Sequence, residues 1–416
     1  MINKVLKEQL ELIRPSEEDI NKINKVSQDS IKFIKDSLKK IKAEVFIGGS
    51  LAKSTLVKKD IYDIDIFVRF DNSYGDEKIS QLLGRVLGKQ VKKIHGSRDY
   101  YQLKDKGILV EIIPVLKIKK PEDAKNVTDL SYFHVNYVIN KIKKNKKLVN
   151  EIMLAKSFAH AQYCYGAESY IHGFSGYALE LLVCYYGSFL KFIKEIVNLN
   201  LKKGKMIVDD AKFYKNKDEL LINLNTSKRQ GPIILIDPTF RERNASSSLN
   251  EDTFYKFQNA CKGFLKKPSL KFFEKINIEN EFKKFKDVKK IVVKTNKQAG
   301  DIAGTKSKKF FDFMTYKLRR EFVIIKDGFD YNENENIASF YFVLEKKKDE
   351  VIKGPPITAV TNLNNFKKAH SKAFIKKNYA YTKITHKLSF DEWFKKFKEH
   401  EKSVIKSMNV VKVEKV

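Results

Sequence analysis

The sequence predicts an α+β chain of several domains, and three observations carry that reading. Over the first third, strand-like apolar runs alternate with helical periodicity. From Tyr132 to about Phe192 the pattern is helical, and beyond Pro268 it shifts to Lys- and Phe-dense segments with strand candidates between charged runs. At 416 residues the chain is long enough for two to four domains of ordinary size.

In order, Leu6, Leu10 and Ile13 recur at helical spacing, as do Ile20, Ile23 and Val26 after Pro15. Glu44 to Ile47 is a short strand entering Gly48-Gly49, followed by a helix-compatible segment and an alternating strand from Asp63 to Phe70. Ile108 to Leu116 is a further strand. The helical stretch is punctuated by Gly173 and Gly176. Residues 200–230 are polar, fit for a linker or edge structure. Ile233–Ile236 is a strand, and a helix from about Asp252 to Leu265 stops before Pro268. Strands are expected at Ile291–Lys294, Phe322–Lys326 and Ala338–Glu345, and the Lys/Phe-rich stretch 308–326 is expected to be amphipathic, with its aromatics in a core.

Composition narrows the partners. The chain holds 82 Lys and Arg against 51 Asp and Glu, a net charge of +31, which suits a polyanion through counterion release. A Lys-rich composition on ordinary solvated faces is the blander explanation. Cys164, Cys184 and Cys261 form no C-x-x-C pair, so neither a zinc ribbon nor a disulfide framework is indicated. The most apolar stretch, Tyr177 to Ile193, carries Glu180 and Lys191 and is a poor membrane span. With no signal-peptide core at the N-terminus, a cytoplasmic protein without membrane association is expected.

The chemistry concentrates at Gly49-Ser50-Leu51-Ala52-Lys53, followed by Asp63-Ile64-Asp65. A Gly-Ser turn between strand and helix lets backbone N–H groups and a hydroxyl approach a phosphate, and Lys53 adds a cation. Asp63 and Asp65, two apart on a strand, share a face, while Ile64, Ile66, Val68 and Phe70 anchor the other. Glu111, the one charge in Ile108 to Pro114, is the candidate third carboxylate, since a charge in such a strand needs a partner or a metal; a solvated sheet edge is the alternative. Together these are ingredients for Mg²⁺–triphosphate binding.

At these residues the chain resembles the polymerase β-like nucleotidyltransferases. Phe133-His134, the run from Lys156 through Tyr165-Gly166-Ala167-Glu168, Gly173-Phe174-Ser175-Gly176-Tyr177, Asp237-Pro238 and Arg243-Asn244 narrow the resemblance to the class I, archaeal-type CCA-adding enzymes. The resemblance implies a catalytic head with a mixed sheet (1–135), a helical neck and central nucleotide-recognition domain (136–268), and an α+β body and tail that bind tRNA (269–416). It implies two Mg²⁺ ions on Asp63, Asp65 and Glu111, with Gly49, Ser50 and Lys53 at the triphosphate. His134, Lys156 and Tyr165 would lie around the nucleotide's phosphates and sugar, and Arg243, with Asp237 nearby, would read the incoming base. The implied substrates are tRNA, CTP and ATP; a homodimer is left open. Each position also has a plain structural reading: His134 as a core histidine, Lys156 as a solvated helix residue, Tyr165 as packing, Asp237 as a strand end, Arg241 as a stand-in for Arg243.

The chain departs from the family pattern in three places. Glu111 stands where Asp is usual, His172 where an Arg commonly precedes the Gly-Phe-Ser-Gly motif, and an Arg before the Phe-His pair is replaced around Leu130. A poly(A)- or oligoadenylate-type polymerase and a catalytically weak tRNA-binding protein of the same fold are the competing expectations.

Overall fold

A computed structural model describes residues 1–296, 300–333 and 335–416. It divides into two compact units, Met1–Ile276 and Asn277–Val416.

The first unit opens with helices α1 (Ile2–Ile13) and α2 (Glu17–Ser37). α2 starts at a capping box in which Ser16 and Asp19 each satisfy the other's backbone N–H, and three carboxylates in its first turn complement the helix dipole. Strands β1 (Ala43–Ile47), β2 (Tyr62–Phe70), β3 (Lys92–Ile94), β4 (Tyr100–Asp105) and β5 (Ile108–Leu116) form one mixed sheet in the order β1-β2-β5-β4-β3. Only β2 and β5 run parallel. Between β1 and β2 lies α3 (Gly49–Ala52), a single turn, and after β2 comes α4 (Asp76–Leu87). The alternation of β2 works as expected: Ile64, Ile66, Val68 and Phe70 are fully buried. They pack with Ile23, Val26 and Ile34 of α2 and Ile79, Leu83 and Leu87 of α4. Anchoring this face leaves the opposite one for the acidic residues.

The helical part contains α5 (Ser131–Lys144), α6 (Leu148–Ala161), α7 (Gly176–Tyr186), α8 (Phe189–Asn198) and α10 (Glu251–Lys266). α6 is apolar around most of its circumference, as a central helix must be. Its Phe158 meets Phe189, Phe257, Phe264 and Phe273 at 5.4–5.7 Å between ring centres. α1 joins this core through Leu6, and Gln9 donates to Ser157 Oγ at 3.1 Å. The helical run is broken at 162–175, where Tyr165 and Phe174 form an isolated bridge. The polar stretch 200–230 holds the edge strand β6 (Met206–Val208), α9 (Lys217–Asn223) and a 3₁₀ turn at Thr226–Arg229. β6 pairs in parallel with β7 (Ile233–Asp237), which pairs with β8 (Phe240–Asn244).

In the second unit, α11 (Ile278–Phe282) precedes β9 (Val288–Thr295), α12 (Gly300–Glu321), β10 (Phe322–Asn332) and β11 (Ile337–Lys346). With β15 (Val410–Lys415) the strands form an antiparallel sheet, order β10-β11-β9-β15. The stretch 308–326 is therefore the end of α12 and the start of β10, and Phe310, Phe311 and Met314 lie in the core as its amphipathic reading required. They pack with Phe390, Trp393, Phe394 and Phe397 of α14 (Phe390–His400). A smaller sheet, order β12-β14-β13, holds β12 (Glu350–Pro356), β13 (Phe374–Lys376) and β14 (Tyr379–Ile384). Among the described residues no helix is long and apolar enough to cross a membrane.

Candidate active site

The site begins where β1 gives way to the Gly48-Gly49-Ser50 turn. Gly48 N–H donates to Asp65 O at 2.8 Å, tying the turn to β2. A Cβ on Gly48 would lie 2.2 Å from the Phe67 ring, so side chain and turn occupy adjoining space with nothing between. Gly49 has φ +56°, and a Cβ there would meet Asp65 Oδ2 at 1.7 Å. Only glycine lets the backbone sit against that carboxylate. We therefore expect Gly49→Ala to displace Asp65 and lower turnover by roughly 10²-fold, as misplacements of about 1 Å do. Single-turnover incorporation on the folded variant measures this; a rate within a factor of two of wild type contradicts it.

Asp63 and Asp65 share the face of β2 opposite its buried isoleucines. In the parallel β2–β5 ladder Asp65 is the register partner of Glu111, so the two lie side by side on that face. β5 is the central strand of the sheet, which removes the solvated-edge reading of Glu111. Burial pushes the Asp65 carboxyl up; the Lys53, Lys59 and Lys156 ammoniums pull it down, the neighbouring Asp63 adds to the rise, and the balance remains upward. The contacts of the other two acids are local. Lys59 Nζ donates to Asp63 Oδ2 at 2.7 Å, and Gln102 Nε2 donates to Glu111 Oε1 at 2.9 Å. Among the described residues no three His, Cys, Asp or Glu side chains stand close enough to enclose an ion as they are. As they stand, the three expected carboxylates do not close on a common centre. The donor set nonetheless fits a hard divalent cation: carboxylate oxygens on one rigid face, with a half-buried Asp65 whose desolvation the nearby lysines do not fully offset.

The sequence reading missed Glu180 on α7, which is fully buried. Its Oε2 accepts from Lys53 Nζ and its Oε1 from Lys156 Nζ, both at 2.7 Å, and Lys156 also donates to Thr55 Oγ1 at 3.1 Å. Burial pulls the Glu180 carboxyl up, but the two ammoniums outweigh it and hold it below the usual glutamate range. Lys53 and Lys156 are therefore neither solvated nor wholly free for phosphate; an ammonium has three donors, and some remain. The signal was present as a lone carboxylate in the apolar run from Tyr177 to Ile193, within the family-like stretch Glu180-Leu181-Leu182, to which no role at the site was given.

A second cluster forms around Asp237, buried at the end of β7. His134 Nε2 lies 2.9 Å and Arg243 Nη1 2.7 Å from its Oδ2. Its Oδ1 accepts from the Tyr177 hydroxyl at 3.0 Å and from Thr239 N–H and Oγ1 at 2.9 and 2.8 Å. The His134 ring stacks on Tyr177 at 4.1 Å. Burial pulls the Asp237 carboxyl up, but the His134 contact, the charges of His134 and Arg243 and the Thr239 N–H outweigh it, leaving it well below the usual range. Burial holds His134 below the ordinary imidazole value despite Asp237. Asp237 is thus the anchor that orients Arg243 and His134, not merely a strand end. Arg241 instead lies over the Tyr214 ring at 5.2 Å and is no substitute for Arg243 on Asp237.

Tyr165 packs with its hydroxyl against Gly176, and burial pushes it up to about 12, with Glu180, Lys59 and Asp65 near enough to influence it. It therefore belongs to the neighbourhood of the carboxylates. His172 is exposed at φ +50°.

A mixed sheet bearing two aspartates and a glutamate on one face, beside a Gly-Ser turn, defines a nucleotidyltransferase of the polymerase β-like fold. Solved structures agree at the level of fold. A cytoplasmic RNA terminal U-transferase matches with a TM-score of 0.51 and 16% identity, covering 67% of this chain and 99% of its own. A poly(U) polymerase matches with a TM-score of 0.51 and 14% identity, covering 66% and 98%. The nucleotidyltransferase domain family matches residues 28–149, and the family "tRNA nucleotidyltransferase, second domain" matches residues 150–274. The CCA-adding enzyme of Nanoarchaeum equitans is 34% identical over 80% of this chain and 82% of its own, and that of Methanocaldococcus jannaschii 30% identical over 92% and 87%. The chain belongs to the archaeal CCA-adding enzyme family and is a tRNA nucleotidyltransferase, an enzyme of nucleotidyl addition at tRNA 3′ ends. Nucleotidyltransferases of this kind generally use divalent metal ions.

Proposed function

We propose that the chain rebuilds the tRNA 3′ end without a template, adding C twice from CTP and then A from ATP, and releasing pyrophosphate each time. The observation that supports this most is the in-register pairing of Asp65 with Glu111, on the face that carries Asp63 and against the Gly49–Ser50 turn. At each step the RNA 3′ oxygen forms a bond to the α-phosphorus, and the bond from that phosphorus to the pyrophosphate oxygen breaks. Two Mg²⁺ ions held by Asp63, Asp65 and Glu111 would supply a lowered pKa for the attacking hydroxyl and charge neutralisation for the triphosphate.

The remaining work is positioning. Gly49 and Ser50 offer N–H groups and a hydroxyl to the triphosphate, and Lys53 and Lys156, braced by Glu180, offer their spare donors. His134 and Tyr165 take the phosphates and sugar. Arg243, aimed by Asp237, offers its planar fork to the base edge. Residues 1–135 act as catalytic head, 136–268 as neck and 269–416 as the tRNA-binding body and tail. RNA recognition rests on shape and phosphates, since every tRNA must be accepted. The proposed setting is the reducing cytoplasm, with which three unpaired, buried cysteines agree.

The test is to incubate a tRNA ending at its discriminator base with CTP and ATP in Mg²⁺ and sequence the 3′ ends. CCA is expected. A-only tails assign a poly(A)-type polymerase, and unchanged ends with retained tRNA binding assign a catalytically inert relative.

Lys59 gives a further expectation. Its ammonium holds Asp63 at 2.7 Å and competes for the oxygen that a cation needs. Because the two side chains are 48% and 43% exposed, the pair is weak. Lys59→Met should tighten Mn²⁺ binding by up to about five-fold, the worth of such a pair, as titrated by electron paramagnetic resonance. Weaker binding would show that Lys59 supports the site instead.

A further inference from the structure

Beside the small sheet lies an open pocket of about 510 Å³ that the chemistry above does not use. Its apolar floor is Ile207 of β6, Ile234 of β7 and Leu221 of α9; its rim carries Lys205, Lys217 and Arg229. None of these residues belongs to the carboxylate face or to the Asp237 cluster. Among the described residues no carboxylate lines the pocket. Among the described residues none of the three rim cations forms an ion pair, whereas Lys141 on α5 is paired with Asp210 at 2.7 Å.

The rim is organised rather than splayed. Lys205 Nζ donates to Arg229 O at 2.5 Å and to Gln230 O at 2.9 Å, which holds the ammonium over the end of the 3₁₀ turn and leaves it one donor. Arg229 Nη2 donates to Thr226 Oγ1 at 3.0 Å, while its Nε–H is shielded from solvent with no acceptor. Lys217 stands exposed at the first turn of α9, with its Nζ toward Gly204.

Uncompensated cations on the rim ask for phosphate, to which the guanidinium fork is suited. An apolar floor asks for a flat, weakly polar body, and the volume matches a small organic ligand. The geometry points to a binding site for one phosphate-bearing nucleotide, its base on the Ile207–Ile234–Leu221 floor and its phosphate at Lys205, Lys217 and Arg229. The same chemistry is presented by a free nucleotide and by one unpaired nucleotide of an RNA strand.

Photo-crosslinking of the full chain separates these sources. One arm uses 8-azidoadenosine 5′-monophosphate, the other a short single-stranded oligoribonucleotide carrying 4-thiouridine, and adducts are mapped by mass spectrometry of the digested protein. The expected result is labelling within residues 205–234, weakened about ten-fold in Lys217→Glu, the loss of one charge-assisted hydrogen bond. Lys217 is exposed and a carboxylate suits the first turn of a helix, so this variant should fold. Labelling by the mononucleotide assigns a free-nucleotide site; labelling by the oligonucleotide alone assigns an RNA-strand site. Adducts confined to the Gly48–Lys53 turn and the Asp237 cluster, or labelling of 205–234 that Lys217→Glu leaves unchanged, would overturn the proposal. Because adducts at the turn are scored separately, failure here is distinguishable from failure of the catalytic assignment.

Discussion

Asp65→Asn is expected to abolish nucleotide addition, by about 10³-fold or more, while leaving the fold and tRNA binding nearly intact. The substitution keeps the size and shape that fit against Gly49 and the register with Glu111, and removes only the charge. Asp65 is singled out over Asp63 by its surroundings. It lies between the Gly49 turn and Glu111, half-buried beside another aspartate, whereas Asp63 is drawn to Lys59. Single-turnover incorporation of CMP, with a gel-shift measurement of tRNA affinity on the same preparation, gives both numbers. A variant that adds CMP within ten-fold of the wild-type rate would remove Asp65 from the chemistry.

Glu180→Gln should cost the first unit about 3–5 kcal/mol, the usual penalty for removing one partner of a buried ion pair. The amide leaves the Lys53 and Lys156 ammoniums in a dry site without a counter-charge. Hydrogen exchange read by mass spectrometry should show the loss in α6 and α7, with α12 and α14 unaffected in the other unit. The pH dependence has a definite sign. The folded Glu180 carboxyl is held below its unfolded value, so the unfolded chain binds the extra proton. The stabilisation is fully present above the unfolded value of about 4.3 and is lost as pH falls through the folded one. Glu180→Gln should remove this component of acid destabilisation. Unchanged protection in α6 and α7 at neutral pH would mean that the lysines find other partners.

Much of the β1–β5 sheet and its turn was legible because the signals are local. The alternation of β2 separates Asp63 and Asp65 from Ile64 and Ile66 within a few residues, and the glycines of the turn mark the place where backbone and carboxylate touch. The Glu180 and Asp237 clusters were not legible, because they are pairings across long stretches of chain. Glu180 meets Lys53 from 127 residues away, and His134 on α5 meets Asp237 at the end of β7. Periodicity within a segment carries no information on such partners. The register of β5 against β2, which brings Glu111 beside Asp65, is likewise non-local. In the last third, α14 carries Phe390, Trp393, Phe394 and Phe397 at helical spacing and could have been recognised. Helix α13 (Val360–Ala369) buries no residue and offers no such pattern.

The central claim, that Asp63, Asp65 and Glu111 share divalent cations beside the serine turn, is tested most directly by anomalous X-ray scattering from crystals grown with Mn²⁺ and a non-hydrolysable CTP analogue. The expected result is manganese between the Asp65 and Glu111 carboxylates, with Asp63 released from Lys59 to join it. Manganese bound elsewhere on the chain, with Glu111 still held by Gln102 and no ion beside Asp65, would contradict it.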